Sequence, residues 1–589
     1  MNKVFSKLKN PWSVALLAVL FFVPFLGKVH LFDWDEINFA ESAREMLLTG
    51  NYLRVQIDFK PFWEKPPLFI WLQVLSMKVF GVNEFAARFP NAVVGVLTLL
   101  SFFYIGKRLH NAQFGFLWAL AYLGSVTPHL YFKSGIIDPW FNFFMFWSVV
   151  NLTPCPFSLV RGGRYAARER AQRGGEVANP EQRANLTPSP LSLTRRGEEA
   201  VGRRGEVLLA GIFAGLAVWT KGPVGVGIPT LTLAAVWALN RFKPVISFKN
   251  LLIYAAAAGI LTLGWMAAII LESGWATFLA FLEYLYRLGA TSEADHGQPF
   301  YYHFVVVLIG CFPISVLGLR YVGSFRKFWN NQTTETSFTV FMFCLFWVVM
   351  IVFSIVKTKI VHYSSMAYFP LSYLAALWLY RWLKGEFQWP RWMTALLLLV
   401  GFVLALALTF VPLAGMYAPV ISPYIDDKFA VANLQAPVEW QGYEWLFGVG
   451  YFVVIVAVVI IRSNRKILAI RLLFFSTAVL MFVYTAVVVP NIEGYTQRTV
   501  IDFYEAKRGQ DIYVWPVGFH SYAQYFYFRK PTGVRPEASD ENWLLNGPVD
   551  KPTFLITRID RAEPYRTNPN LEFFKEENGF VFFRRKGRY

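Results

Sequence analysis

The stretch "TALLLLVGFVLALALTFVPLAG", Thr394 to Gly415, is apolar and uncharged from end to end. As a helix, about 20 such residues cross roughly 30 Å of hydrocarbon while satisfying their own backbone hydrogen bonds. Similar runs recur near 11–30, 90–106, 114–131, 137–152, 207–222, 224–240, 251–271, 302–320, 337–356, 363–380, 393–413, 444–461 and 468–489. They predict a multi-pass α-helical membrane protein with about 13 transmembrane helices. A mean hydropathy of +0.39 with 16% charged residues agrees.

The formal net charge of +18 does not point to nucleic acid. The basic residues sit in short clusters between spans, such as "GKRLHN", "NRFKPVISFK" and "IRSNRKILAIR", all on one side, which marks the cytoplasm. The N-terminal basic head and apolar run read as an uncleaved first span, because no small-x-small site follows. "PPLFIWLQVLSMKVF", Pro66 to Phe80, is too short to cross and reads as an interfacial helix. Cys155, Cys311 and Cys344 show neither metal spacing nor a disulfide framework.

Four parts follow: an N-terminal transmembrane part over 1–152 with the first outer loop, an insertion over 153–206, further spans over 207–490, and a C-terminal domain over 491–589. The insertion is rich in Arg, Gly, Pro and Glu and holds a near-repeat, "NLTPCPFSLVRGG" and "NLTPSPLSLTRRG". It lacks the apolar surface for a core and is expected to be a disordered cytoplasmic segment, where the sequons at Asn151 and Asn185 would be accidental. In the last part, "DIYVWP", "PTFLITRI" and "GFVFFRR" read as strands, "SYAQYFYF" as a helix and "EENG" as a hairpin turn. An odd number of spans puts this small α/β domain outside.

The first outer loop gathers Asp33, Asp35, Glu36, Glu41, Glu45, Asp58 and Glu64, seven of the chain's 38 acidic residues. Glu41, Arg44, Glu45 and Arg54 fit a short amphipathic helix and read as solvated charges. Asp35 and Glu36 lie among apolar neighbours at the end of a span, where a carboxylate must be paired, metal-bound or shifted in pKa, a setting suited to a base. In "FWEKPPLFIW", Lys65 could grip a phosphate and Glu64 a cation, or the two form a plain salt bridge. Asp138 opens a span, and Lys221 sits in the turn "TKGP", either snorkelling to the interface or binding an anion. Glu293, Asp295 and His296 precede another span. Glu64 with His296 would make a partial metal site.

The ordered motifs "DWDEINFAESAREMLLTGNY", "FWEKPPLFIW", "FGVNEFAARFPNAV", "DPWF", "WTKGPVG", "HGQPFYYHF" and "KIVHYSSMAYFPL" resemble the GT-C membrane glycosyltransferases. The likeness is to the lipid A aminoarabinose transferases and the protein O-mannosyltransferase group, over about 10–490 outside the insertion. It implies a GT-C fold and transfer of a sugar from a polyprenyl-phosphate carrier to a lipid A-like lipid, glycan or protein at the outer face of the cell inner membrane. Asp35 matches the aspartate at that family's reaction centre, with Glu36 beside it. Glu64, Lys65, Asp138, Lys221 and His296 match functional positions, and Tyr363 matches a tyrosine near the carrier phosphate. Lys357 and Lys359 add positive charge in the same loop. The chain departs at Val361, where many relatives have proline before the motif's tyrosine pair, so the sugar stays open.

The expected catalytic groups are therefore Asp35, Glu36 and Asp138, with Lys65, Lys221, Tyr363, Lys357 and Lys359 at the carrier phosphate. Glu64 and His296 would hold a divalent cation (Zn or Mg/Mn), and no organic cofactor is expected. The expected partners are the carrier-linked sugar, its acceptor and the membrane, with the protein a monomer. The competing class is a lipid or sugar transporter or flippase, which tends to place charges near the bilayer midplane.

Overall fold

The computed structural model describes residues 10–62, 64–154, 198–290, 297–323 and 334–587. Most of the 153–206 insertion lies outside the described residues, as do Glu293, Asp295 and His296. Among the described residues, five helices are long and apolar enough to cross a membrane: Glu84–Leu109, Phe248–Arg287, Glu335–Ile355, Arg391–Met416 and Lys466–Gly494. Shorter apolar helices, including Pro11–Phe22, Ala112–Leu123, Val224–Leu239 and Leu446–Ile461, complete a multi-pass helical membrane protein. Their shared core is dense in aromatic rings; Phe102 and Trp118 stack with centroids 4.4 Å apart.

Several runs differ from the sequence expectation; the first, 11–30, is helical only over Pro11–Phe22. The run 114–131 is two helices, Ala112–Leu123 and Val126–Tyr131. The break falls at Gly124, where an added Cβ would lie 2.2 Å from the carbonyl oxygen of Phe474. The run 302–320 is likewise split into Tyr302–Gly310 and Ile314–Val322, around Pro313, whose ring nitrogen cannot donate to the helical ladder. The helix expected over 251–271 runs from Phe248 to Ala290 across a break at Gly274, so much of the stretch between the expected spans 251–271 and 302–320 is helical. The helix from Glu198 to Lys221 starts inside the expected insertion.

The first outer loop folds into the helix Asp35–Thr49, a two-stranded hairpin of Gln56–Ile57 and Lys60–Pro61, and the helix Leu68–Phe80. Leu68–Phe80 buries Phe69, Ile70, Val74 and Met77 and leaves Leu75 and Val79 exposed, an apolar outer face suited to lipid.

The C-terminal part carries a four-stranded sheet in the spatial order Tyr513–Pro516, Thr553–Arg558, Phe580–Arg585, Leu571–Glu577. The first pair is parallel and the others antiparallel, with the hairpin turning at Asn578 and Gly579. This domain docks on the first outer loop through one apolar cluster that joins Leu31, Ile37, Ala40, Ala43, Ile70 and Val74 to Val500, Ile501, Phe526, Ile556 and Phe582. Polar ties reinforce it: the Leu31 N–H donates to the Tyr527 hydroxyl at 2.6 Å, and Gln497 Nε2 donates to the Leu31 carbonyl at 2.8 Å.

Docking overturns the solvated-charge reading of the loop helix. Glu41, Arg44 and Glu45 are buried. Arg44 forks onto Glu41 at 2.6 and 2.7 Å and donates to the Lys530 carbonyl at 3.1 Å, while Lys530 pairs with Asp58. Burial, with the Glu41 carboxylate beside it, pushes Glu45 up to about 9. The folded protein thus holds a proton that the unfolded chain releases above the ordinary carboxyl value of 4.5. The resulting stabilisation is complete below 4.5 and is lost as pH rises towards about 9. We expect Glu45→Gln to flatten this decline, which has a slope on the order of 1 kcal/mol per pH unit. Melting curves of both proteins in detergent across that window check it; parallel curves would refute a proton held at Glu45 in the folded protein.

Candidate functional site

Three helix termini meet at the end of the bundle that carries the C-terminal domain. Asp35 is the first residue of Asp35–Thr49 and Asp138 the first of Asp138–Leu152, where the helix dipole favours a carboxylate. Pro139, within the first turn, lacks only an N–H that would have no helical partner. Lys221 ends the helix Glu198–Lys221, where a cation is favoured. The turn after it requires Gly222, whose φ is +98°.

Lys221 Nζ lies 2.6 Å from Asp138 Oδ1, with Asp138 nearly fully buried. His362 completes the cluster. Its Nε2 is 3.8 Å from Asp35 Oδ2 and 4.0 Å from Asp138 Oδ2. Asp138 Oδ2 is buried and has no hydrogen-bond partner among the described residues, so it faces the site unsatisfied. The ring of Tyr363 lies 5.2 Å from Lys221 Nζ. Both aromatic residues sit in the 3-10 turn Val361–Ala367, which leads into the helix Tyr368–Leu383. Burial holds His362 below its ordinary imidazole value; the charges of Asp138 and Asp35 oppose that, and those of Lys221 and Lys65 add to it. A neutral ring between two carboxylates can accept or relay a proton.

Lys65 flanks this cluster. Its Nζ is 3.3 Å from the Tyr284 hydroxyl, 5.3 Å from the centre of that ring and 3.8 Å from Glu64 Oε2. Asp35 keeps 40% of its side chain exposed, so the site is open at the carboxylate that borders the C-terminal domain.

Not every expected residue is in this group. Glu36 is turned away and fully engaged: it accepts from Arg88 Nε at 3.0 Å, Arg88 Nη2 at 2.6 Å and the Phe32 N–H at 3.0 Å, and also from the Gly135 N–H. Burial alone would raise this carboxyl, but the charge and hydrogen bonds of Arg88 hold it below the usual range. Glu36, expected among the catalytic groups, is thus taken up by Arg88 and backbone donors and stands outside the group that the structure brings together. Lys359 is buried, within electrostatic reach of His303, and Lys357 is exposed. His296 lies outside the described residues, so the expected cation site has one described donor, Glu64, already facing an ammonium group.

Two residues of the group were not anticipated. His362 stands in the motif "KIVHYSS", but its place depends on carboxylates that arrive from distant segments. Tyr284 lies between the expected spans 251–271 and 302–320, on the helical extension that continues to Ala290.

A bundle of apolar helices with clustered acids and cations at one end and an α/β domain docked above them fits the resemblance to GT-C membrane glycosyltransferases read from the motifs. Comparison with known proteins agrees. Residues 64–152 match the family described as dolichyl-phosphate-mannose-protein mannosyltransferase. An undecaprenyl phosphate-alpha-4-amino-4-deoxy-L-arabinose arabinosyl transferase of Edwardsiella ictaluri is 28% identical over 387 residues, 65% of this chain and 61% of the relative. The protein of the same name from Pectobacterium carotovorum is 27% identical over 64% of this chain and 60% of its own. The matched region thus spans less than two thirds of these relatives. The crystal structure of ArnT from Cupriavidus metallidurans bound to undecaprenyl phosphate superposes with a TM-score of 0.68 at 17% identity, covering 97% of both chains. The resemblance read from the motifs therefore holds over the fold.

Proposed function

We propose that this protein transfers a sugar from a polyprenyl-phosphate carrier to an acceptor hydroxyl at the outer face of the cell inner membrane, by a single inverting displacement. The observation that carries the reading is the convergence of Asp35, Asp138, Lys221 and His362 from four separate segments. The relatives, named for undecaprenyl-phosphate-linked aminoarabinose, support that class of donor.

Each group then has a task. The leaving group is a lipid phosphate, already a stable anion, which needs positive charge more than a proton as the glycosidic C–O bond breaks. Lys221 has three N–H donors; Asp138 takes one and fixes the ammonium, leaving the others for phosphate oxygens. Lys65, propped by Tyr284, supplies a second charge. Asp35 removes the acceptor proton as its oxygen attacks from the face opposite the phosphate, with His362 beside it.

The transport reading fits less well, because these charged groups stand at helix termini and not within the spans. Lys221→Gln is expected to lower transfer about 10²-fold. Because that change also strands the buried Asp138, Lys221→Gln with Asp138→Asn should restore normal melting without restoring transfer. The reading itself is tested by giving purified protein undecaprenyl-phosphate-linked aminoarabinose with lipid A, a glycan or a peptide, and following release of undecaprenyl phosphate. Consumption of the donor with one acceptor supports it; an intact donor with every acceptor defeats it.

A further inference from the structure

Beside Asp35 stands Trp34, a large apolar side chain left 50% exposed. Two rings flank it from the C-terminal domain: His520, with centroids 5.3 Å apart at 45°, and Tyr522, 5.5 Å apart at 75°. His520 and Tyr522 are themselves 5.3 Å apart and nearly perpendicular. His520 is exposed as well, whereas Tyr522 is half-buried, with one side packed on the apolar cluster that docks the C-terminal domain.

This grouping is held in place. Asp33, next to Trp34, accepts from Ser521 Oγ at 2.5 Å and from the Tyr522 N–H at 3.2 and 3.3 Å. The segment 520–522 is therefore pinned to 33–34 across most of the length of the chain. Tyr522 also lies within reach of the charges of Glu64 and Lys65. The rings thus adjoin Asp35 on one side and the Lys65 end of the site on the other. No described residue hydrogen-bonds to the Tyr522 hydroxyl or to the His520 ring nitrogens.

A half-exposed indole and an exposed imidazole, with unused hydrogen-bonding groups on His520 and Tyr522 beside a charged site, mark a ligand surface. A sugar ring suits it: its C–H face is apolar and slightly positive, and aromatic faces carry negative charge, while its hydroxyls can engage the Tyr522 hydroxyl and His520. The carrier's prenyl tail stays in the bilayer, whereas these rings belong in part to the C-terminal domain. We infer that Trp34, His520 and Tyr522 form a saccharide-binding shelf that seats the sugar ring of the acceptor over Asp35. This deepens the proposed transfer reaction and rests on it for the word acceptor. The shelf's residues position substrate and take no part in bond making.

The test uses the full-length protein in nanodiscs and the deacylated glucosamine disaccharide headgroup of lipid A as probe. Saturation-transfer NMR should show contact with the ring C–H protons in the parent. Trp34→Ala and Tyr522→Ala should each weaken binding about fivefold or more, with Trp34→Phe recovering part of it. Affinity for undecaprenyl phosphate should stay unchanged, which a collapsed loop would not allow. In turnover with lipid A, the same variants should raise the acceptor KM more than they lower kcat. Absence of binding in the parent, or equal binding in the variants, overturns the shelf. Binding that the variants lose, without transfer by the parent, keeps the shelf and defeats the transferase reading.

Discussion

Asp35→Asn should abolish transfer, by about 10³-fold or more, in a protein that still folds and still binds undecaprenyl phosphate. The side chain keeps its shape but can no longer take a proton, and positioned general bases contribute about 10²–10⁴-fold. The structure makes this a clean substitution. Asp35 is 40% exposed and His362 Nε2 approaches it no closer than 3.8 Å, so no buried ion pair breaks. Release of undecaprenyl phosphate measures the chemistry, and melting in detergent the fold. Near-normal transfer by the variant would remove Asp35 from the centre and shift the base to His362.

The largest stability effect is expected at Arg88. Every arm of its guanidinium is used: Glu36 takes Nε and Nη2, the carbonyls of Leu26 and Val29 take Nη1 at 2.8 and 2.7 Å, and the His30 carbonyl takes Nη2 at 3.0 Å. One side chain thereby ties the exit of the first helix to the start of Asp35–Thr49. Arg88→Met leaves the buried Glu36 carboxylate unpaired and should cost about 3–5 kcal/mol. Adding Glu36→Gln removes the stranded charge, so the double variant should be less damaged than the two losses summed. A drop in melting temperature that is partly recovered in the double variant is the expected result. Unchanged melting in Arg88→Met would show that this knot does not hold the loop.

Adjacent residues of the opening helix illustrate what sequence can and cannot reveal. Asp35 and Glu36 look equivalent as letters, yet a helix turns about 100° per residue. That rotation leaves Asp35 at the open site and drives Glu36 onto Arg88, and nothing local says which will face which way. The hydrophobic runs were legible because span length and composition are local properties. So was the sheet in the C-terminal part, down to the turn at Asn578 and Gly579, although the strand Leu571–Glu577 was not named beforehand. Its alternation is blurred by charges on an exposed edge.

Long-range docking was the harder part. Glu41, Arg44 and Glu45 carry the spacing of a solvent-facing helix, and only the C-terminal domain, arriving some 480 residues later, turns that face into an interior. His362 follows the same logic. In the sequence it is one of seven histidines, and its meaning comes from Asp35 and Asp138 brought to it by the fold.

If these segments act as one chemical site on the membrane face that carries the C-terminal domain, transfer runs from that face alone. Proteoliposomes test it most directly, sorted by whether that domain is open to protease from outside and given carrier-linked aminoarabinose with acceptor added outside only. Release of undecaprenyl phosphate and labelled acceptor is expected only where the domain faces outward. Transfer from the opposite orientation, or intact donor carried across the bilayer, would contradict it.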